Sequence, residues 1–125
     1  MNDLNINSLA LAYLGDSVYE LYIRKYLLSK GIAKVNNLQK EAIKYVSAKG
    51  QCKFVTKMLE DNFLTEEEIE VFKRARNYKT TSHPKNTDII TYKYATGYEA
   101  VIGYLELKND TKRIEEIIEY CKRGD

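Results

Sequence analysis

The chain has 125 residues, of which 44% are hydrophobic and 30% are charged, and its formal net charge is +2. These values argue against a disordered or fibrous chain and favour one folded domain over residues 1–125. The sequence has no apolar run of membrane-spanning length and no secretory-signal pattern at its start, which predicts a cytoplasmic protein. His83, Cys52 and Cys121 are too few soft ligands for a zinc site or a Cys/His nucleophile pair.

The spacing of apolar residues predicts an all-α fold of about five to seven helices. The first helix is expected from about Asn7 to Ser29, with Gly31 as its stop. Asn36 or Asn37 is expected to cap the second helix, and Gly50 is expected to break or bend it.

Capping signals place the later helices. Thr65 and Glu68 have the spacing of a capping box, which predicts a helix that reaches about Tyr78. The remaining predicted elements are a polar loop over residues 79–86, a helix from Asn86 or Thr87 to about Leu107, and a last helix capped by Asp110 or Thr111.

Charged residues are segregated along the chain. Residues 22–57 contain nine Lys and Arg against Glu41 alone, a charge of +8, and residues 73–93 contain six against Asp88 alone, a charge of +5. Segregated basic surface suggests a polyanionic partner, whereas ordinary solvated helix faces would explain the same charges.

Two acidic residues have small and apolar neighbours on their predicted helices. Asp16 follows Gly15, and both are unfavourable residues in the middle of a helix, so a local requirement is expected at this point. We expect Gly15 to let another backbone approach, and Asp16 and Glu20 to project carboxylates into the junction. Glu99 lies in a similar stripe on the helix that ends near Leu107.

If the two stripes face each other, Asp16 and Glu99 meet in a partly desolvated pocket, where a divalent cation would offset their repulsion. Carboxylate oxygens favour Mg²⁺ or Mn²⁺. The alternative is that Asp16 caps a helix break at Gly15 and Glu99 pairs with a lysine. The acidic run over residues 66–68 is expected to serve capping and solvation.

Two motifs resemble a known nuclease family. Leu14-Gly15-Asp16-Ser17-Val18, followed by Glu20, resembles the LGD(A/S)V core of the ribonuclease III signature, and Tyr98-Glu99-Ala100-Val101-Ile102-Gly103 is similar to its FEAxIG element. Residues 45–49, 74–77, 84–88 and 91–92 also resemble Mini-ribonuclease III, a small bacterial subfamily without a double-stranded RNA-binding domain.

This resemblance implies a homodimeric, Mg²⁺-dependent endoribonuclease of the bacterial cytoplasm. In the subfamily the substrate is double-stranded RNA in the stems of 23S ribosomal RNA precursor. Asp16 and Glu99 match acids that bind metal and catalyse cleavage, and Glu20 is expected to hold a metal-bound water. Ala12 and Thr96 occupy two further positions that are acidic in the larger family, which leaves the number of metal ions open.

The resemblance also implies surfaces for partners. Tyr13 matches the position of an aromatic residue that crosses the family's dimer junction, with core packing as the alternative. Whether a ribosomal protein assists in presenting the substrate stays open. The residues expected to contact RNA, in the polar loop and the basic turn before it, are Arg74, Arg76, Asn77, Lys79, Lys85 and Asn86.

Two other classes of function remain. A non-catalytic RNA-binding or ribosome-assembly module would need only the basic surfaces, and cleavage that depends on Mg²⁺ and Asp16 would argue against it. A helical nucleotide pyrophosphohydrolase would bind metal through the acids of residues 66–70. A phosphohydrolase of the HD type is excluded, because its site needs more than the single His83.

Overall fold

The computed structural model describes residues 7–79 and 84–124, and both ranges are helical without any strand. The prediction of an all-α fold is therefore confirmed. The six helices are α1 (Ser8–Ser29), α2 (Val35–Val46), α3 (Ala48–Glu60), α4 (Glu66–Arg76), α5 (Ile89–Leu107) and α6 (Thr111–Arg123). None of these helices is long and apolar enough to cross a membrane.

Helix α5 is the centre of the fold and packs against α1, α3, α4 and α6. From Ala95 to Leu105 every residue except Glu99 is buried, as expected for a helix that is apolar on all sides. Small residues on α5 admit its neighbours: the ring of Phe72 lies where a β-carbon at Gly97 would be. Glu99 is thus an acid embedded in the most buried helix of the protein.

Tyrosine side chains connect α5 to the surrounding helices. The rings of Tyr19 and Tyr98 pack edge to face with centroids 5.1 Å apart, and the Tyr19 hydroxyl donates to the Tyr45 carbonyl at 3.0 Å. The Tyr98 hydroxyl lies 3.2 Å from Cys121 Sγ on α6. Burial raises the pKa of the Cys121 thiol to about 11, so it stays protonated at neutral pH.

The break between α2 and α3 lies at Ser47, and the prediction of a break at Gly50 is wrong. Ser47 is extended, and its hydroxyl accepts from the Gly50 amide at 3.0 Å, so it caps α3. Gly50 lies inside α3, where a β-carbon would overlap the Lys44 carbonyl oxygen. Close packing, not a helix end, requires glycine there. Helix α2 begins at Val35, so Asn36 and Asn37 lie in its first turn instead of capping it.

The capping box at Thr65 and Glu68 is confirmed, with both of its hydrogen bonds present. Asp88 caps α5 in place of Asn86 or Thr87, because its carboxylate accepts from the Thr91 amide at 2.9 Å. Asp110 caps α6 as expected. The expected helix end near residue 78 lies two residues earlier, at Arg76. Residues 80–83 of the predicted polar loop lie outside the described residues.

Candidate active site

Helices α1 and α5 meet through two glycines. A β-carbon on Gly15 would overlap the backbone carbonyl of Glu99, and one on Gly103 would overlap the carbonyl of Leu11. The expectation that Gly15 admits a close backbone is therefore confirmed. Helix α1 runs unbroken from Ser8 to Ser29, so Asp16 does not cap a helix break. The glycine contact brings the next residue, Asp16, to the edge of α5.

Asp16 and Glu99 interact at this junction, as the sequence pattern predicted. Asp16 is exposed and Glu99 is half-buried. Burial, which is the largest cause, together with the charge of Asp16 and hydrogen bonding to Asp16, raises the pKa of the Glu99 carboxyl to about 8. Without a cation, Glu99 therefore retains a proton at neutral pH, because two adjacent carboxylates in a partly desolvated site repel each other.

Gln51 on α3 is a third residue of this site that the sequence analysis missed. Its side chain is 1% exposed, and its Nε2 donates to Glu99 Oε2 at 3.3 Å and to the Val46 carbonyl at 3.2 Å. Glu99 is thus bonded to a glutamine and not to a lysine. A signal was available in the sequence, because Gln51 occupies the helical stripe that continues with the buried Phe54, Val55 and Met58.

The carboxylate of Glu20 lies one turn beyond Asp16 and accepts from Arg24 at 2.7 Å. Its role toward a metal-bound water stays a prediction. Ala12 and Thr96, which replace family acids, are both buried, and the Thr96 hydroxyl donates to the Tyr92 carbonyl at 2.9 Å. Neither side chain can add a carboxylate to the site.

Two carboxylates are a suitable donor set for one hard divalent cation. Mg²⁺ prefers oxygen ligands and commonly keeps several waters while binding one or two carboxylates. Its charge would offset the repulsion that raises the pKa of Glu99. Within residues 7–79 and 84–124, no three His, Cys, Asp or Glu side chains come together as a larger ligand group. The residues present therefore fit a divalent cation held by Asp16 and Glu99.

The acidic run at the start of α4 forms ion pairs. Glu68 is buried, and its two carboxylate oxygens accept from Arg113 at 2.8 Å, while Glu67 pairs with Lys108 at 3.0 Å. The prediction that Glu68 takes part in capping is confirmed. The prediction that its carboxylate is solvated is wrong, because Glu68 is buried and pairs with Arg113. These contacts give no support to a metal site on α4, and so none to a pyrophosphohydrolase.

Arg76 is the most constrained of the residues expected to contact RNA. Its guanidinium lies over the rings of Phe72 and Tyr94, 5.4 and 5.8 Å from their centroids, and its Nε donates to Asn77 Oδ1 at 3.0 Å. Arg74 pairs with Glu70 at 3.5 Å. The remaining members of the set are exposed, namely Asn77, Lys79, Lys85 and Asn86.

Tyr13 is 84% exposed, so the alternative that it packs in the core of its own chain is wrong. It lies on the face of α1 that also presents Leu9, Leu21 and Leu28 as exposed apolar side chains. This face borders Asp16 on the same helix. An exposed aromatic residue next to a carboxylate pair is consistent with an interface beside the site.

Comparison with known proteins identifies relatives over nearly the whole chain. Residues 9–110 match the ribonuclease III domain family. The chain is 48% identical over 122 residues to Mini-ribonuclease 3 of Streptococcus pneumoniae, covering 97% of this chain and 95% of the relative. It is 49% identical over 116 residues to Mini-ribonuclease 3 of Enterococcus faecalis, covering 93% and 88%. A crystal structure of a Fusobacterium nucleatum protein is 36% identical, with a TM-score of 0.86 and coverage of 95% and 96%.

Proposed function

The chain belongs to the ribonuclease III domain family, and from this premise we propose that it cleaves double-stranded RNA with the help of a divalent cation. The resemblance read from the Asp16 and Glu99 motifs is therefore confirmed at the level of the family. The relatives are named as ribonucleases, which are enzymes that hydrolyse RNA.

The observation that carries the proposal is the position of Glu99 beside Asp16, where burial and, after it, the charge of Asp16 raise the pKa of the Glu99 carboxyl to about 8. A carboxylate pair kept together at such an electrostatic cost is typical of a functional site. Structural packing alone would be served better by an apolar residue at position 99, which is half-buried in α5. The pair therefore argues against a non-catalytic RNA-binding module.

Asp16 and Glu99 would hold Mg²⁺ or Mn²⁺, and Glu20 would act next to them. When bound, the ion lowers the pKa of a water ligand and stabilises charge that develops on the phosphodiester. Glu99 must release its proton before it can serve as a ligand, and its carboxylate is then held by the Gln51 amide. Asp16 is exposed and is therefore accessible to RNA.

The proposed substrate is the double-stranded stem of 23S ribosomal RNA precursor, cleaved in the bacterial cytoplasm. Relatives from several bacteria are named Mini-ribonuclease 3, the subfamily for which the sequence resemblance implies this substrate. The chain would bind the duplex through Arg74, Arg76 and the exposed side chains that follow them. Shape and the sugar hydroxyls of A-form RNA, more than base sequence, would guide this binding.

The proposed assembly is a homodimer. A site that cuts one strand of a duplex needs a second, symmetry-related site for the other strand, and a two-fold axis provides it. The exposed face of α1 with Tyr13 supports this arrangement, since it offers an unpartnered aromatic side chain beside each site. A second copy of the chain would cover Tyr13.

The test uses a synthetic stem from a 23S ribosomal RNA precursor and the purified chain, with and without Mg²⁺. Mapping of the RNA ends should show paired cuts on the two strands that require the ion. The same RNA left intact in both Mg²⁺ and Mn²⁺, while a known ribonuclease III cuts it, would refute the proposal. Cleavage without any added ribosomal protein would show that none is needed to present the substrate.

A further inference from the structure

Gln51 has an unusual hydrogen-bond pattern for a residue in the core. Its Oε1 is buried, and within the part of the chain that the structure describes it is the sole buried side-chain oxygen or nitrogen without a hydrogen-bond partner. Leaving an amide oxygen without a partner in the interior is unfavourable. The neighbouring positions of the same stripe on α3 are occupied by Phe54, Val55 and Met58, so an apolar residue would suit position 51.

The two acceptors of Gln51 Nε2 fix the orientation of its amide. One is the Val46 carbonyl and the other is Glu99 Oε2, at 3.2 and 3.3 Å. Rotating the amide by half a turn would put Oε1 against two acceptors and lose both hydrogen bonds. The unpartnered Oε1 is therefore the consequence of directing both N–H groups toward Val46 and Glu99.

The anchor for this amide is the break between α2 and α3. Ser47 is extended, so α2 ends at Val46. The Val46 carbonyl therefore does not accept a hydrogen bond from a further turn of α2 and is available to the Gln51 amide. Gly50 lets α3 begin close to the last turn of α2, since a β-carbon there would overlap the Lys44 carbonyl. Gln51 is thus bonded both to the end of α2, through Val46, and to α5, through Glu99.

We propose that Gln51 is a positioning residue for the metal site: anchored on Val46, its amide holds the Glu99 carboxylate in the orientation in which it faces Asp16. This proposal rests on the proposed function, because it assigns Gln51 to the cation site of that activity. Partners that orient a metal ligand commonly change metal affinity by about 10–100-fold when they are removed. Gln51 therefore sets how tightly the site binds its cation.

The first experiment compares Gln51→Met with Gln39→Met. Methionine keeps a similar volume and removes both donors. Gln39 is the other glutamine of the chain and is exposed on α2, which makes it a matched control. Calorimetric titration with Mn²⁺, without RNA, should show binding weakened about tenfold or more in Gln51→Met and unchanged in Gln39→Met. Equal affinities in the two variants would overturn the proposal.

A double-mutant cycle separates positioning from simple packing. If Gln51 acts through Glu99, the double variant Gln51→Met with Glu99→Gln should bind Mn²⁺ no more weakly than Glu99→Gln alone. Additive losses would show that Gln51 acts independently of Glu99 and would overturn the proposal. In the RNA assay, the Gln51→Met variant should have a lower kcat than the wild type at limiting Mn²⁺ and the wild-type kcat at high Mn²⁺. Its KM for the duplex should equal that of the wild type.

A measurement on the unaltered protein covers the case in which Gln51→Met does not fold. Nuclear magnetic resonance of the side-chain amides during Mg²⁺ titration should shift the Gln51 signals and leave those of Gln39 in place. Signals of Gln51 that stay fixed while the protein is saturated with Mg²⁺ would overturn the proposal. Failure to cleave duplex RNA would refute the proposed function instead, since cation binding is measured here without RNA.

Discussion

The backbone carbonyl of Glu99 occupies the space that a β-carbon at position 15 would need, so Gly15 is in direct contact with the main chain of the helix that carries the second acid. Gly103, one turn after Glu99, makes the matching contact with the carbonyl of Leu11. The distance between the two acids is therefore set by a backbone contact and not by long side chains. A change of one methyl group at this crossing should affect both stability and activity.

Gly15→Ala should separate α1 from α5 at the crossing. Insertion of a methyl group into a packed junction typically costs about 1–3 kcal/mol, and cleavage should fall because Asp16 moves relative to Glu99. Gly124→Ala is the control, since the nearest atom to its β-carbon would be 3.6 Å away. Urea unfolding and duplex cleavage should be measured for both. Equal stability and activity of the two variants would disprove the importance of this contact.

Asp16→Asn and Glu99→Gln should each abolish cleavage while folding and RNA binding persist. Both changes keep the shape of the side chain and remove the charge that binds a cation. Initial rates in saturating Mg²⁺ give the direct measurement, and gel shifts in Ca²⁺ report RNA binding. Glu119→Gln on α6, an exposed acid, should cleave at the wild-type rate. A wild-type rate in either site variant would remove that residue from the site.

The metal-free protein should gain stability at alkaline pH when Glu99 is replaced by glutamine. The folded protein keeps the Glu99 proton up to a pKa of about 8, whereas the unfolded chain loses it near the ordinary value of 4.5. Between these values the folded state binds the extra proton, so rising pH reduces the stability of the wild type through this group. Glu99→Gln lacks this titration.

Thermal melts in EDTA over a pH series measure this effect as a difference between two proteins. All other titrating groups are shared, so the difference in Tm isolates Glu99. The Tm of Glu99→Gln minus the Tm of the wild type should increase from about pH 5 to about pH 8 and then stay constant. A difference that stays constant across this range would show that Glu99 has an ordinary pKa in the folded protein.

Local sequence signals predicted the caps of single helices and the faces by which two helices meet. The capping box at Thr65 and the meeting of Asp16 with Glu99 follow from spacing, because helical periodicity fixes which side chains share a face. The break between α2 and α3 was predicted at Gly50 but lies at Ser47. Glycine is required at position 50 by close packing against the Lys44 carbonyl, which only the folded chain shows. The helical stripe of Gln51 with Phe54, Val55 and Met58 was a signal that Gln51 is buried, but its bond to Glu99 depends on how α3 packs against α5.

Tyr13→Ala should weaken the proposed dimer without unfolding the chain. Because Tyr13 is 84% exposed, its removal costs little packing within one chain. A central aromatic residue of an interface commonly contributes about 2 kcal/mol or more to binding, which corresponds to at least a tenfold weaker dimer. Light scattering over a dilution series measures the change. The control is Leu107→Ala, another exposed apolar residue. A wild type that is active and monomeric would refute the dimer.

Arg76 and Lys85 should contribute separately to RNA binding through phosphate contacts. Lys85 is exposed just after the part of the loop outside the described residues, while Arg76 is held over two aromatic rings on α4 and α5. Replacement of Arg76 by alanine also removes packing against these rings, so Arg76→Met, which keeps an apolar stem, is the better variant. Lys85→Ala has no such complication.

Each variant should weaken binding to many duplex sequences and reduce the slope of log affinity against log salt by about one unit or less, because each neutralised phosphate releases condensed counterions. Fluorescence anisotropy in Ca²⁺, at several salt concentrations, measures the slope without turnover. Lys112→Ala on α6 is an exposed control that should leave the slope unchanged. If the double variant at Arg76 and Lys85 also keeps the wild-type slope, the duplex binds elsewhere, and the +8 surface of residues 22–57 becomes the next candidate.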